Sequence, residues 1–182
     1  MKRIYIKLFM LGTLTLFFGS KAKAQEFKDL DSSPHDIVYF RTNKVSPPTI
    51  KVLYGRPKKD GREIFGNVIP FGKIWRVGAN EATEVVFYHD VVFGDQEVKA
   101  GTYVLYAIPD KNEWTLILSS NTDVWGTYEY ETKYDVARAK AKVSKAEFLE
   151  AFSIGFKDKG KHVNMVLAWD TTRITTPIKI IL

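Results

Sequence analysis

From residue 49 onward the chain is built of short segments in which apolar side chains recur at every second position. Ile50, Val52 and Tyr54 alternate with Thr49, Lys51 and Leu53. Val85 and Phe87 alternate with Val86 and Tyr88, and Trp114, Leu116 and Leu118 share one phase. Val163, Met165, Leu167 and Trp169 share another. A period of two puts alternate side chains on opposite faces of an extended chain, so each segment reads as a strand with one buried face. Alanines 137, 139 and 141 oppose Arg138, Lys140 and Lys142 in the same way, and Phe152, Ile154 and Phe156 continue the pattern. Turn residues fall between the segments at close intervals: Ser46-Pro47-Pro48, Gly94-Asp95, Pro109 to Asn112, and Gly160. Ser144 followed by Glu147 fits a capping box and predicts a short helical turn. Pro177 within the last segment predicts an edge strand. The expectation is an all-β fold of ten or so short strands, an antiparallel β-sandwich or barrel-like domain with at most one or two short helical turns.

The N-terminus follows different rules. Lys2 and Arg3 precede an eleven-residue apolar run, residues 8–18, and Ala22-Lys23-Ala24 gives a small-x-small site before Gln25. Such a run is too short to span a bilayer and fits a secretory signal peptide. The expected organisation is a signal over residues 1–24, a flexible polar leader over 25–36 and a single β domain over 37–182, periplasmic or secreted. The whole chain has 27 basic and 21 acidic side chains, a net +6. Residues 1–24 hold five of the bases and no acid, so cleavage leaves 22 against 21, a net +1. The high pI belongs to the signal, and no basic field remains to argue for nucleic acid. The mature protein is expected to have no membrane span. With no cysteine in the chain, disulfides, thiolate catalysis and thiolate metal sites are excluded.

Among residues 25–182 there is no G-x-S-x-G elbow, S-x-x-K pair or phosphate-binding glycine loop. His35, His89 and His162 lie far apart and form no ligand-spaced pair. Neither a metal site nor a cofactor is expected. Residues 61–83 stand out instead. They contain four glycines and Pro70, then place Trp75, Arg76, Asn80, Glu81 and Thr83 within nine positions. Arg76, like Arg56 in the Tyr54-Gly55-Arg56-Pro57 turn, carries a fork suited to a carboxylate or phosphate. Trp75, Trp125 and Tyr128 lie in or beside turns, where amphipathic rings can stack on sugars or anchor partners. Glu81 is the candidate general acid or base for a hydrolase. Its partner carboxylate would be Asp123 or Glu129. A plain ion pair between Glu81 and Arg76 that locks the turn explains the same residues. The ligand-binding candidates are therefore Tyr54, Arg56, Trp75, Arg76, Asn80, Glu81, Trp125 and Tyr128, with a saccharide or peptide as ligand. A structural or partner-binding module is the third reading.

Several of these strings resemble one bacterial family, domain of unknown function 2911. They are Tyr54-Gly55-Arg56-Pro57, Ile64-Phe65-Gly66, Pro70-Phe71-Gly72-Lys73-Ile74-Trp75-Arg76, and Gly78-Ala79-Asn80-Glu81-Ala82-Thr83. Ala100-Gly101-Thr102-Tyr103, Trp114-Thr115 and Trp125-Gly126 add to them. The resemblance covers roughly residues 38–181. It implies a small exported domain and brings no assigned catalytic residue.

Overall fold

The structure is a computed structural model and describes residues 27–181. The signal-peptide reading falls on residues 1–24, outside the described residues. Strands β1 (His35–Phe40), β2 (Ile50–Gly55), β3 (Glu84–Phe87), β4 (Val91–Phe93) and β5 (Gln96–Val98) come first. They are followed by β6 (Gly101–Ile108), β7 (Glu113–Ser119), β8 (Asp135–Asp158) and β9 (Val163–Ile180). The helical content of the described residues is a single 3-10 turn, Thr132–Tyr134. The strands form one antiparallel sheet in the order β1-β2-β3-β6-β7-β8-β9-β4-β5, and the protein is all-β.

Alternation decides which residues face inward. Ile50, Val52 and Tyr54 of β2 are buried, as are Val85 and Phe87 of β3 and the three alanines of β8. Strands β6 and β7 are buried on both faces. Leu105, Ala107, Leu116 and Leu118 join the main core, while Val104, Tyr106 and Ile117 pack outward against Ala82 and Val124. The chain between β7 and β8 thus covers the outer face of the sheet and brings Trp125 and Tyr128 near residues 75–82.

Strand β8 holds the molecule together. Its first part pairs with β7 from Asp135 to Lys142, and its second with β9 from Val143 to Asp158. Both ends of the sheet also come back to it. The Phe40 ring of β1 lies 6.0 Å from Phe156, and Gln96 of β5 accepts a 2.9 Å hydrogen bond from the Arg138 N–H. The sheet therefore wraps around one apolar interior.

Two local expectations change. The helical turn at 144–147 does not form, because Ser144 and Lys145 are paired with Arg173 and Thr172 of β9. The Ser144 hydroxyl donates to the Arg173 carbonyl at 3.3 Å and caps nothing. Strand β9 is interior to the sheet order and not an edge. Pro177 lies between the stretch paired with β8, which ends at Ile174, and the stretch paired with β4, which begins at Ile178. Its missing N–H is tolerated at that changeover.

Strand β8 is also irregular where the candidate site begins. Its register to β9 shifts between Lys145 and Leu149 and again between Leu149 and Ser153. The backbone groups freed there bind residues 57–62: Lys59 N–H donates to the Glu150 carbonyl at 2.8 Å, and Phe152 N–H to the Pro57 carbonyl at 2.9 Å. A bulge re-aims the strand and leaves such groups for another partner.

Candidate functional site

Residues 61–83 form no regular strand, yet they are firmly placed. Trp75 exchanges both backbone hydrogen bonds with Ala107 of β6, at 2.8 and 2.9 Å. Its ring is only 4% exposed. It meets Trp114, Phe152 and Phe65 edge-on, with centroids 5.2 to 6.0 Å away, and stacks on Trp169 at 6.2 Å. Its indole N–H donates to the Gly78 carbonyl at 3.3 Å.

Past Arg76 the backbone turns sharply. Val77 is fully buried at φ 57° and Asn80 has φ 62°. A β-branched residue in the left-handed region is strained and persists only where its surroundings over-determine it. Thr83 supplies the constraint: its hydroxyl donates to the Val77 carbonyl at 2.6 Å and its N–H to the Arg76 carbonyl at 3.1 Å. The turn is also pressed against the end of β2. A Cβ on Gly78 would lie 2.9 Å from the Gly55 carbonyl oxygen. Glycine at both positions lets the two backbones cross.

Tyr54 and Arg56 serve this packing. The Tyr54 hydroxyl accepts the Ile154 N–H at 3.0 Å, and burial raises its pKa. Arg56 donates to the Phe152 carbonyl at 3.1 Å, the Ser153 hydroxyl at 2.8 Å and the Asp36 carboxylate at 3.0 Å. Tyr54, Arg56 and the ring of Trp75 therefore join the strands to the loop.

Between this turn and residues 57–62 lies a cleft of about 800 Å³. Pro57, Lys58, Asp60 and Arg62 line one wall, and Arg76, Gly78, Ala79 and Asn80 the other. Edges of Trp75 and Trp169, with Val68 and Ile69, make its apolar part, and Ser32 and Ser33 also border it. Arg76 is half-buried. Its Nε is fully buried and has no hydrogen-bond partner among the described residues. Burial pushes the Arg76 pKa below its ordinary value, and the nearby Tyr128 phenol acts the other way. The Ser33 N–H and then the Asn80 side chain hold the Asp31 carboxyl below the usual carboxylate range.

Glu81 points elsewhere. Asn80 borders the large cleft, whereas Glu81 borders a smaller depression of about 440 Å³ with His35, Leu53, Glu84 and Asp123. Its carboxylate lies 3.0 Å from His35 Nε2, and its side chain is 60% exposed. Its side-chain partner is His35, and no Glu81–Arg76 ion pair forms among the described residues. Trp125 pairs with the backbone of Glu81, and the Gly126 N–H donates to the Asn80 carbonyl at 3.2 Å. The Trp125 and Tyr128 rings stack on each other, 5.6 Å apart and 8° from parallel, and are 55% and 84% exposed.

Of the eight sequence-predicted residues, the cleft thus gathers Trp75, Arg76 and Asn80. Sequence reasoning missed Ser32, Ser33, Lys58 and Asp60, which read as leader and turn, Arg62, which lay in the distinctive stretch but was not singled out, and Trp169, which alternation assigned to the core. Lys58, Asp60 and Arg62 join the cleft only because β8 bulges about 90 residues later, and no local pattern marks that.

The family model for "Protein of unknown function (DUF2911)" matches residues 33–178. The chain belongs to this family. The matched span runs from Ser33, at the border of the cleft, to Ile178 in β9, and so contains both walls of the cleft. No curated protein and no solved structure matches the chain.

Proposed function

We propose that this DUF2911 domain is an exported ligand-binding module that takes a small polar molecule of the cell envelope, a saccharide or a peptide, into the cleft between residues 57–62 and 75–80. The observation that carries this reading is the convergence of Arg76 and Asn80, from the most distinctive string in the sequence, on a cleft of about 800 Å³. Ligand sites are typically a few hundred to a thousand cubic ångströms, mainly apolar, with a few placed polar groups. The strained Val77 beside Arg76 supports it too, since such strain gathers at sites that must hold one geometry. Export rests on the charged, apolar and small-x-small order of residues 1–24.

The test is a thermal-shift and glycan-array screen on the protein recovered after export, extended to short peptides. A ligand at about a hundred times its Kd adds roughly 2.7 kcal/mol of stability, a midpoint rise of roughly 5–10 °C for a domain of this size. Asn80→Ala is expected to diminish that rise. No shift from any compound sinks the binding reading. Glu81→Gln separates it from the hydrolase alternative. Binding in the large cleft predicts an unchanged shift, whereas loss of binding and of any turnover moves the site to the Glu81 depression. Export predicts a periplasmic or secreted protein whose mass begins at Gln25, and retention of residues 1–24 refutes it.

A further inference from the structure

We infer that the cleft selects a ligand bearing an oxyanion, a carboxylate or phosphate group, which the Arg76 guanidinium holds end-on through its two terminal nitrogens. This deepens the reading of the cleft as the binding site and rests on it.

The argument begins with what the other arginines do. Among the described residues, Arg41, Arg56, Arg62, Arg138 and Arg173 each donate side-chain hydrogen bonds to carbonyl, hydroxyl or carboxylate oxygens. Arg76 makes no such bond there, although its Nε is fully buried. A guanidinium stays charged at any physiological pH, so withdrawing its N–H from water without an acceptor is costly. The fold nevertheless fixes this residue tightly. Its carbonyl is bound by Thr83, the next residue is strained, and the preceding ring is locked in the core. The backbone is set beside the cleft, the terminal nitrogens make no hydrogen bond among the described residues, and a planar two-oxygen group fits their fork.

Charge agrees. The cleft is lined by three cations, Lys58, Arg62 and Arg76, against one carboxylate, Asp60. Arg62 spends its Nε and one terminal nitrogen on the carbonyls of Lys59 and Lys58. The Lys58 ammonium makes no ion pair among the described residues and lines the same cleft as Arg76. The negative groups nearby are Asp60, Glu150, whose carboxylate accepts the Asp60 N–H at 2.7 Å, and Asp31, already bound by Ser33 and Asn80. Two cations with open coordination therefore share the cleft with Asp60.

Carboxylate and phosphate offer the same oxygens, and the experiment distinguishes them. The Arg76 Nε–H signal of the exported protein is followed by NMR while acetate, inorganic phosphate or chloride is added at matched ionic strength. Glucose, glucuronate and glucose 6-phosphate follow as neutral, carboxylate and phosphate versions of one ring. A saturable shift of this signal with acetate and glucuronate, or with phosphate and glucose 6-phosphate, is expected, with none from chloride or glucose. Arg76→Lys keeps the charge but loses the fork, and should weaken binding by roughly ten- to a hundredfold. An Nε–H signal that ignores every oxyanion, or moves equally with chloride, overturns the inference. Glucose perturbing other cleft residues while Arg76 stays silent overturns it too, and leaves the binding reading standing. If no compound here or in the wider screen perturbs any cleft residue, both fall. The wild-type signal decides the matter even where an Arg76 variant fails to fold.

Discussion

Gly55 has no room for a side chain. A methyl group there would lie 2.2 Å from the carbonyl oxygen of Ala79, a backbone atom that cannot swing aside. Gly55→Ala should therefore cost about 1–3 kcal/mol or more, the range for forced overpacking. A urea midpoint unchanged from wild type would mean that the two turns are not in contact. Tyr106 makes an opposite case. Its buried hydroxyl has no hydrogen-bond partner among the described residues. Burial, followed by the Glu129 and Tyr130 charges, pushes its pKa up to about 12. In the unfolded chain a tyrosine titrates near 10. The folded form thus keeps its proton longer, and its contribution is full below about pH 10 and is lost as pH rises from there through about 12. Tyr106→Phe should be as stable as wild type at pH 7 or more so, because it removes an unsatisfied hydroxyl. It should also lose stability less steeply between pH 10 and 12. Urea unfolding at several pH values checks both, and a clear loss at pH 7 would show that the hydroxyl is satisfied.

Strands were the most legible part of this chain, because a half-buried strand writes its burial directly into the sequence. Val163, Met165, Leu167 and Trp169 alternate and are buried, and the same holds for Ala137, Ala139 and Ala141. Their lengths were less legible. β8 runs for 24 residues through a stretch, 144–148, whose local signals favour a helical start. There the hydrogen bonds to β9 outweigh a capping preference worth about 1 kcal/mol. Tryptophan roles were ambiguous for a related reason. Trp75 sits in a turn-like string, which suggested an exposed platform, but its backbone pairs with Ala107 and draws the ring inward. Trp125 sits in a similar string and stays half exposed, since its neighbour Val124 is the loop residue that packs onto Tyr106 and Ile117 of the sheet. Local composition marks both as unusual, and only the tertiary pairing separates them. The glycine at residue 78 in the distinctive stretch has its reason in the close crossing with Gly55.

At the scale of the molecule, the two walls of the cleft belong to chain segments with no regular strand of their own. Residues 57–62 hang on the bulge of β8, and residues 75–80 on β6 and on the end of β2. Their positions depend on the closure of the whole sheet. That closure runs through β8, which pairs with β7 and then β9 and meets both outer strands. A sheet joined in this way has no seam at which one half can melt alone. The four tryptophans report on it from different places: Trp75, Trp114 and Trp169 from the core, and Trp125 from the surface loop. Unfolding in urea should therefore be a single transition, with tryptophan fluorescence and far-UV circular dichroism coincident. Pairings such as Tyr54 with Ile154, a hundred residues apart, make folding slow for its size, on the order of milliseconds to seconds or longer. Fluorescence that changes well before the circular dichroism would mean that the aromatic cluster and cleft open as a separate unit. In that event ligand binding would be expected to raise the first transition and leave the second where it was.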